Sequence, residues 1–183
     1  MDITVHDRTG NRTLPVYHHE GRHYVVGKPG NEYQIRVRNR TSGDILSVVS
    51  VDGVNAVSGE TANWNQTGYI LGPHRGFDIK GWRKSLEKVA AFYFTDLGDS
   101  YAARTGRPDN VGVIGVALFR RMAAPPPQPF SGISPGSAAR SAPADAAKAE
   151  ESLGTGHGRS EVSHARHVAF ERATSQPAET IAI

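Results

Sequence analysis

Glu32-Tyr33-Gln34-Ile35-Arg36-Val37-Arg38-Asn39-Arg40 alternates apolar and polar residues with period two, and its reading decides the fold class. Successive side chains of an extended strand point to opposite faces, so Tyr33, Ile35 and Val37 share one face and Arg36, Arg38 and Arg40 the other. One face meets a core and the other meets solvent. Just downstream, Ile45-Leu46-Ser47-Val48-Val49-Ser50-Val51 is separated from Val54-Asn55-Ala56-Val57 by Asp52-Gly53. Asp-Gly accepts positive φ at low cost, as a two-residue hairpin requires, so these two runs pair antiparallel.

Further strand candidates are residues 3–7, 14–18, 23–26, 69–71, 76–79, 89–95 and 111–119, spaced by turns such as Lys28-Pro29-Gly30 and Arg107-Pro108-Asp109-Asn110. Many short strands at this spacing predict an all-β fold, an antiparallel β-sandwich of the jelly-roll or Greek-key type. Residues 111–119, Val-Gly-Val-Ile-Gly-Val-Ala-Leu-Phe, are apolar on both faces, which predicts a central strand covered on each side. Helix is confined to one or two short turns. Residues 99–106 fit one, with Asp99 as N-cap and Gly106 as the left-handed terminator. Residues 83–89 fit another, because Leu86, Val89, Ala90 and Tyr93 also have helical spacing.

Length and composition point to one core. The chain has 183 residues, 38% hydrophobic and 21% charged, and the apolar deficit lies in Pro, Gly, Ser and Thr. The organisation expected is a β-sandwich domain over 1–122, a disordered Pro/Ala/Ser-rich linker over 123–152, and a C-terminal β segment over 153–183 that packs back on the first domain. The prolines of Pro125-Pro126-Pro127-Gln128-Pro129 favour extended polyproline II, and the Ser/Ala/Gly stretch after them buries too little to order itself. A helical turn at 144–151 is marginal. Val162, His164, Arg166, Val168 and Phe170 share a parity within 161–173, and 179–183 closes the chain. Two strands alone are marginal in water, so both are read as returning to the domain; the alternative is disorder from 123 onward.

The net charge of +3 is uneven: residues 1–122 carry 16 Lys+Arg against 12 Asp+Glu, and 123–183 carry 5 against 6. This mild basic excess argues against a dedicated nucleic-acid binder. The absence of cysteine excludes disulfides and thiolate metal sites. Neither a basic-then-apolar leader nor an apolar run of membrane-spanning length is visible, so the default expectation is no membrane and a cytoplasmic location. Nothing in the sequence calls for a cofactor.

Four constellations could carry chemistry. Asn63-Trp64-Asn65-Gln66-Thr67-Gly68-Tyr69, followed by Phe77 and Trp82, gathers both tryptophans and a run of amides. Flat rings supply contact area at small entropic cost and amides orient a ligand. Trp64, Tyr69 and Trp82 with Asn63, Asn65 and Gln66 therefore form the leading candidate surface, suited to a protein or carbohydrate. The competing reading has Trp64 and Trp82 plugging the ends of the core. Second, Arg36, Arg38 and Arg40, with Arg22 as a neighbour across a hairpin, make a candidate anion-binding stripe; a solvated strand face is the plainer reading, and no aromatic residue interleaves them as an RNA-binding sheet would require.

Third, in His18-His19-Glu20-Gly21-Arg22-His23 a turn at Glu20-Gly21 would set His18 against His23, and with His157 these are the candidate metal ligands. The spacing matches no established zinc pattern, and a closed site needs four ligands and a supporting shell. Fourth, Gly154-Thr155-Gly156-His157-Gly158 has the glycine content of a phosphate loop without the helix that should follow it, so it is read as a turn carrying a solvated or hydrogen-bonded histidine. As a general base His157 would need a nucleophile, and only Ser100 and Thr155 are nominated, neither in an elbow context.

Residues 33–39, 45–59, 81–83, 100–106 and 110–119, together with Gly154-Thr155-Gly156-His157-Gly158, resemble a group of uncharacterised, mostly proteobacterial β-rich proteins of unknown function. The resemblance covers most of the chain outside 123–152. It implies a bacterial origin, a β-rich fold, a Gly-Thr-Gly-His-Gly segment that precedes a strand of the same unit, and relatives that continue past the position of Ile183; it carries no activity or site. The function expected is a non-enzymatic interaction or ligand-binding module. Two alternatives stand beside it: a His-based metal-binding protein or enzyme, and binding of an anionic polymer or nucleic acid through the Arg-lined strand. Homo-oligomerisation through an uncovered sheet edge stays open.

Overall fold

The computed structural model describes residues 1–106, 110–123 and 153–183. In chain order the strands are β1 (Asp2–Asp7), β2 (Arg12–Thr13), β3 (Val16–His19), β4 (Arg22–Val25), β5 (Glu32–Arg38), β6 (Ile45–Val51), β7 (Val54–Asn55), β8 (Tyr69–Leu71), β9 (Gly76–Ile79), β10 (Gly81–Arg83), β11 (Lys88–Thr95), β12 (Ile114–Arg120), β13 (Gly154–Val162) and β14 (Glu179–Ala182). They form an antiparallel two-sheet sandwich. The first sheet runs β10-β11-β5-β1-β2, with β13 also on β11 and β9 also on β5; the second runs β14-β12-β6-β7, with β8 also on β6. β3 and β4 stand apart as a two-stranded hairpin.

Period-two alternation sets the core. Val5, Tyr33, Ile35, Val37 and Phe92 of the first sheet meet Ile45, Val49, Val51, Ile114, Val116 and Leu118 of the second in one buried cluster. Each fully buried aliphatic or aromatic side chain contributes about 1.5–3 kcal/mol, so the strands are held chiefly by this interior. The hairpin at Asp52-Gly53 forms as its residues predict: both have positive φ, 53° and 69°, and Val51 pairs with Val54. β9 and β10 are nearly continuous across Lys80, pairing first with β5 (Ile35 opposite Ile79) and then with β11 (Gly81 opposite Ala91).

β6 and β12 are apolar on both faces because two layers cover them. Leu46, Val48 and Phe119 form a second cluster on the outer side, where Trp64, Ile70, Ala117 and Phe170 pack against them. The strand predicted over 111–119 starts only at Ile114, because Gly112 turns the chain at φ 82° and leaves Val113 exposed.

Three local readings need correction. The helical turn α1 (Tyr101–Arg104) is capped by Ser100, whose Oγ accepts from Ala103 N at 3.1 Å; Asp99 belongs to a preceding 3-10 turn over Leu97–Asp99. Gly106 does terminate it, at φ 76°. Residues 83–89 are not helical: Trp82 lies opposite Ala90 and Arg83 opposite Val89, so sheet pairing overrides the local spacing. The glycine-rich segment is not a turn but the first half of β13, while the 161–173 run reaches only Val162 as strand.

Glycine suits β13 because neighbours already fill the space a side chain would take. Gly156 lies opposite Tyr93, whose ring covers it, and a Cβ on Gly158 would come within 2.6 Å of the Ala91 carbonyl oxygen. β13 pairs with β11 and β14 with β12, so residues after 152 add a strand to each sheet. Apart from Ala123, the stretch read as a disordered linker lies outside the described residues, as does the helical turn at 144–151. Among the described residues no helix is long and apolar enough to cross a membrane.

Backbone cannot swing aside as a flexible side chain can, so Gly158→Ala is expected to lower unfolding free energy by about 1–3 kcal/mol. Gly98→Ala, where a Cβ meets nothing within 4 Å, should change it by less than about 0.5 kcal/mol. Equal denaturation midpoints for both variants would contradict this account of the glycine run.

Candidate functional site

Covering the outer face of β6 creates a groove of about 320 Å³ between residues 65–70, a loop that runs into β8, and residues 168–172. Ile70, Val168 and Phe170 are its apolar walls; Asn65, Thr67 and Arg172 are polar ones. Arg172 ties the two sides together, donating from Nη1 to Trp64 O at 2.8 Å and from Nη2 to Gln66 O at 2.7 Å, with its guanidinium 4.0 Å from the Phe119 ring centre. Burial holds its pKa below the usual arginine value. Among the described residues no carboxylate pairs with it, whereas neighbouring Arg121 is bound to Asp44 at 3.0 Å and lies 4.5 Å from the Phe170 ring centre.

The amides singled out in sequence divide into two kinds. Gln66 is scaffolding: its Oε1 accepts from Asn63 N at 2.8 Å and Asn55 Nδ2 at 3.2 Å, and its Nε2 donates to Thr61 O at 3.0 Å. Asn63 caps a local turn, its Oδ1 accepting from Asn65 N at 2.8 Å. The exposed Asn65 amide alone stays uncommitted among the described residues.

The rings do not assemble as one surface. Trp82 is 2% exposed in the inter-sheet core, edge-on to Phe92 with centroids 4.8 Å apart, while half-buried Trp64 belongs to the outer cluster across the second sheet. Tyr69 stacks on Phe77 at 5.1 Å, and burial pushes its phenol up. Thus Asn65 and Gln66 line the groove, Trp64 packs in the outer cluster with its carbonyl bound by Arg172, and Tyr69 and Trp82 face the interior.

The other constellations are also separated. On the outer face of the first sheet Arg36 is bound by Asp78 across the strand pair, at 2.6 and 2.9 Å, and Arg40 is bound by Asp2. Arg22 lies in the β3–β4 hairpin and has no pairing with β5. Arg38 remains exposed beside these neutralised charges. His18 and His23 are directly opposite in that hairpin, but His157 stands on β13, its ring parallel to Trp82 at 6.2 Å and 5.2 Å from Tyr101. Burial and the nearby Lys84 charge hold its pKa below the ordinary imidazole value. Among the described residues no three His, Cys, Asp or Glu side chains come together as a metal cage.

One buried polar network carries no sequence signal beyond its turn motif. Asp52 is 1% exposed; its Oδ2 accepts from Thr155 N at 2.5 Å and its Oδ1 from Gly112 N at 2.9 Å, while the Thr155 hydroxyl lies 2.5 Å from Tyr33 Oη. Burial raises the Asp52 carboxyl to about 6 from an ordinary 3.8, against the opposing pull of the Thr155 and Gly112 donors. Burial, and then the Asp52 charge, push the Tyr33 phenol well above its usual value. Of the likewise unforeseen groove walls, Val168 and Phe170 were visible only as a parity pattern and Arg172 gave no signal. With this geometry described, comparison with known proteins adds no relative: no family model, no curated protein and no solved structure matches the chain.

Asp52 makes stability depend on pH. Its folded pKa lies above the unfolded one, so its contribution is fully present below 3.8 and is lost as pH rises through 6. The shift corresponds to about 3 kcal/mol of lost stability by neutral pH. Asp52→Asn tolerates the same positive φ and removes the titration. The unfolding free energy of the unsubstituted chain minus that of the variant should therefore fall between pH 4 and 7; a pH-independent difference in urea titrations would show that Asp52 does not titrate in this way.

Proposed function

We propose that this chain is a non-enzymatic interaction module whose groove between the 65–70 loop and residues 168–172 receives an extended acidic peptide. The observation that carries the reading is the composition of that groove: apolar walls from Ile70, Val168 and Phe170, an uncommitted amide on Asn65, and the Arg172 guanidinium without a carboxylate partner among the described residues. An extended peptide offers apolar side chains to the walls, backbone groups to Asn65 and a carboxylate to Arg172. A sugar is a poorer match. Sugar recognition uses an open aromatic face, and Trp82 is in the core, Trp64 is half-buried, and Arg121 lies over the Phe170 ring. The arginine row is a poorer anion site than the groove, since Asp78 and Asp2 already occupy Arg36 and Arg40.

Acidic peptide libraries and neutral oligosaccharides should be compared by heteronuclear NMR. Peptides are expected to shift the Asn65, Thr67 and Ile70 amides, and Phe170→Ala should weaken binding about tenfold or more, a loss of at least about 1.4 kcal/mol. Shifts elsewhere on the sandwich, binding indifferent to Phe170→Ala, or a response to oligosaccharides alone would reject the peptide reading.

A further inference from the structure

The β3–β4 hairpin, independent of the groove, holds a second kind of site. Its turn is Glu20-Gly21, with φ 48° and 75°, the two positive values of a two-residue hairpin turn. In such a hairpin the pair flanking the turn, His19 and Arg22, exchanges backbone hydrogen bonds, and the next pair, His18 and His23, does not. Non-hydrogen-bonded pairs bring Cα atoms to about 4.5 Å, the closest approach of side chains in an antiparallel sheet. The two imidazoles accordingly stand with ring centroids 4.6 Å apart and planes at 77°. Both are exposed, and neither makes a hydrogen bond among the described residues.

We propose that His18 and His23 form a bidentate chelate for a borderline divalent transition-metal ion, Cu2+, Ni2+ or Zn2+. Two imidazole nitrogens at about 2.0–2.1 Å from one ion sit about 3 Å from each other, within reach of rings already at this separation after small χ rotations. Imidazole is the ligand these ions share, and hard cations such as Mg2+ and Ca2+ prefer oxygen donors, so they are poor occupants. With two protein ligands the ion keeps open positions for water or for a donor from another molecule, unlike a closed structural zinc site. His19 points to the opposite face of the hairpin, by strand alternation, and takes no part.

The hairpin also gives the ion something to act on. A two-stranded ribbon is marginal in water, and this one has exposed side chains along both strands, with Tyr17 53% exposed. An ion bridging the strands at their third pair from the base favours the paired state by mass action.

The untagged full chain should be titrated with Cu2+, Ni2+, Zn2+ and Mg2+ by calorimetry, and with Zn2+ by NMR with amide hydrogen exchange. Expected are one ion per chain, affinity in the order Cu2+ above Ni2+ and Zn2+ with Mg2+ not bound, shifts confined to the hairpin, and slower exchange there. His18→Asn and His23→Asn should each weaken binding at least tenfold, while His19→Asn and His157→Asn leave it unchanged. All four side chains are at the surface, so unchanged circular dichroism checks folding. Absence of saturable Cu2+ binding, full affinity in His18→Asn or His23→Asn, or loss in His157→Asn would overturn the proposal. None of these outcomes involves the groove, so the peptide reading stands or falls separately.

Discussion

Burial of β6 on both faces is the constraint from which the rest of the molecule follows. Its Ile45, Val49 and Val51 close the inter-sheet core, and its Leu46 and Val48 would lie bare on the far side without a third layer. The 63–68 loop and residues 168–172 supply that layer, and Arg172 pins one to the other through two backbone carbonyls. The groove is the seam left where irregular residues 65–68 and 168–172 meet beside the edge of the second sheet at β8. Irregular backbone pairs less regularly than a strand, so such a seam is also where uncommitted polar groups such as Asn65 survive.

The buried Asp52 network does a different task. A carboxylate in an apolar interior is costly unless it is hydrogen-bonded, and Asp52 is bonded by backbone donors from two distant parts of the chain, Gly112 and Thr155. It joins the β6–β7 turn, the entry to β12 and the start of β13 around Tyr33. The same residue thus sets a hairpin by its tolerance of positive φ and places β13 by the hydrogen bond it accepts from Thr155 N. Thr155 is fixed from both sides, by Asp52 and by Tyr33, which holds the glycine-rich strand in register where glycine alone would allow slippage.

Charge on the opposite face of the sandwich is largely internal. Glu32, Arg159, Glu161, Arg8 and Lys80 form a network across β5, β13 and the loops beside them, with Arg159–Glu32 at 2.7 Å and Arg8–Glu161 at 2.8 Å. The pairs made by exposed Arg159 are worth little individually, whereas Arg8–Glu161 is largely covered. Arg36 in β5 and Arg40 just beyond its end have carboxylates of their own in Asp78 and Asp2, so a modest basic excess in composition does not become a basic surface stripe.

Local pattern alone was enough for the sandwich class, the inward face of β5, the Asp-Gly and Glu-Gly hairpin turns and the opposition of His18 to His23, because each depends on neighbours in sequence and on strand alternation. Tertiary structure decided what local pattern leaves degenerate. Glycines at 154–158 are compatible with a turn or a strand, and only Tyr93 and the Ala91 carbonyl, standing where side chains would go, select the strand. Trp64 and Trp82 are equivalent in sequence as large rings near amides; the second sheet separates them, because one packs on each of its sides. Phe170 and Arg172 meet the 65–70 loop across more than a hundred residues, and nothing in the composition of either segment encodes that meeting, since apolar burial is non-directional and finds its partner only when the sheets assemble.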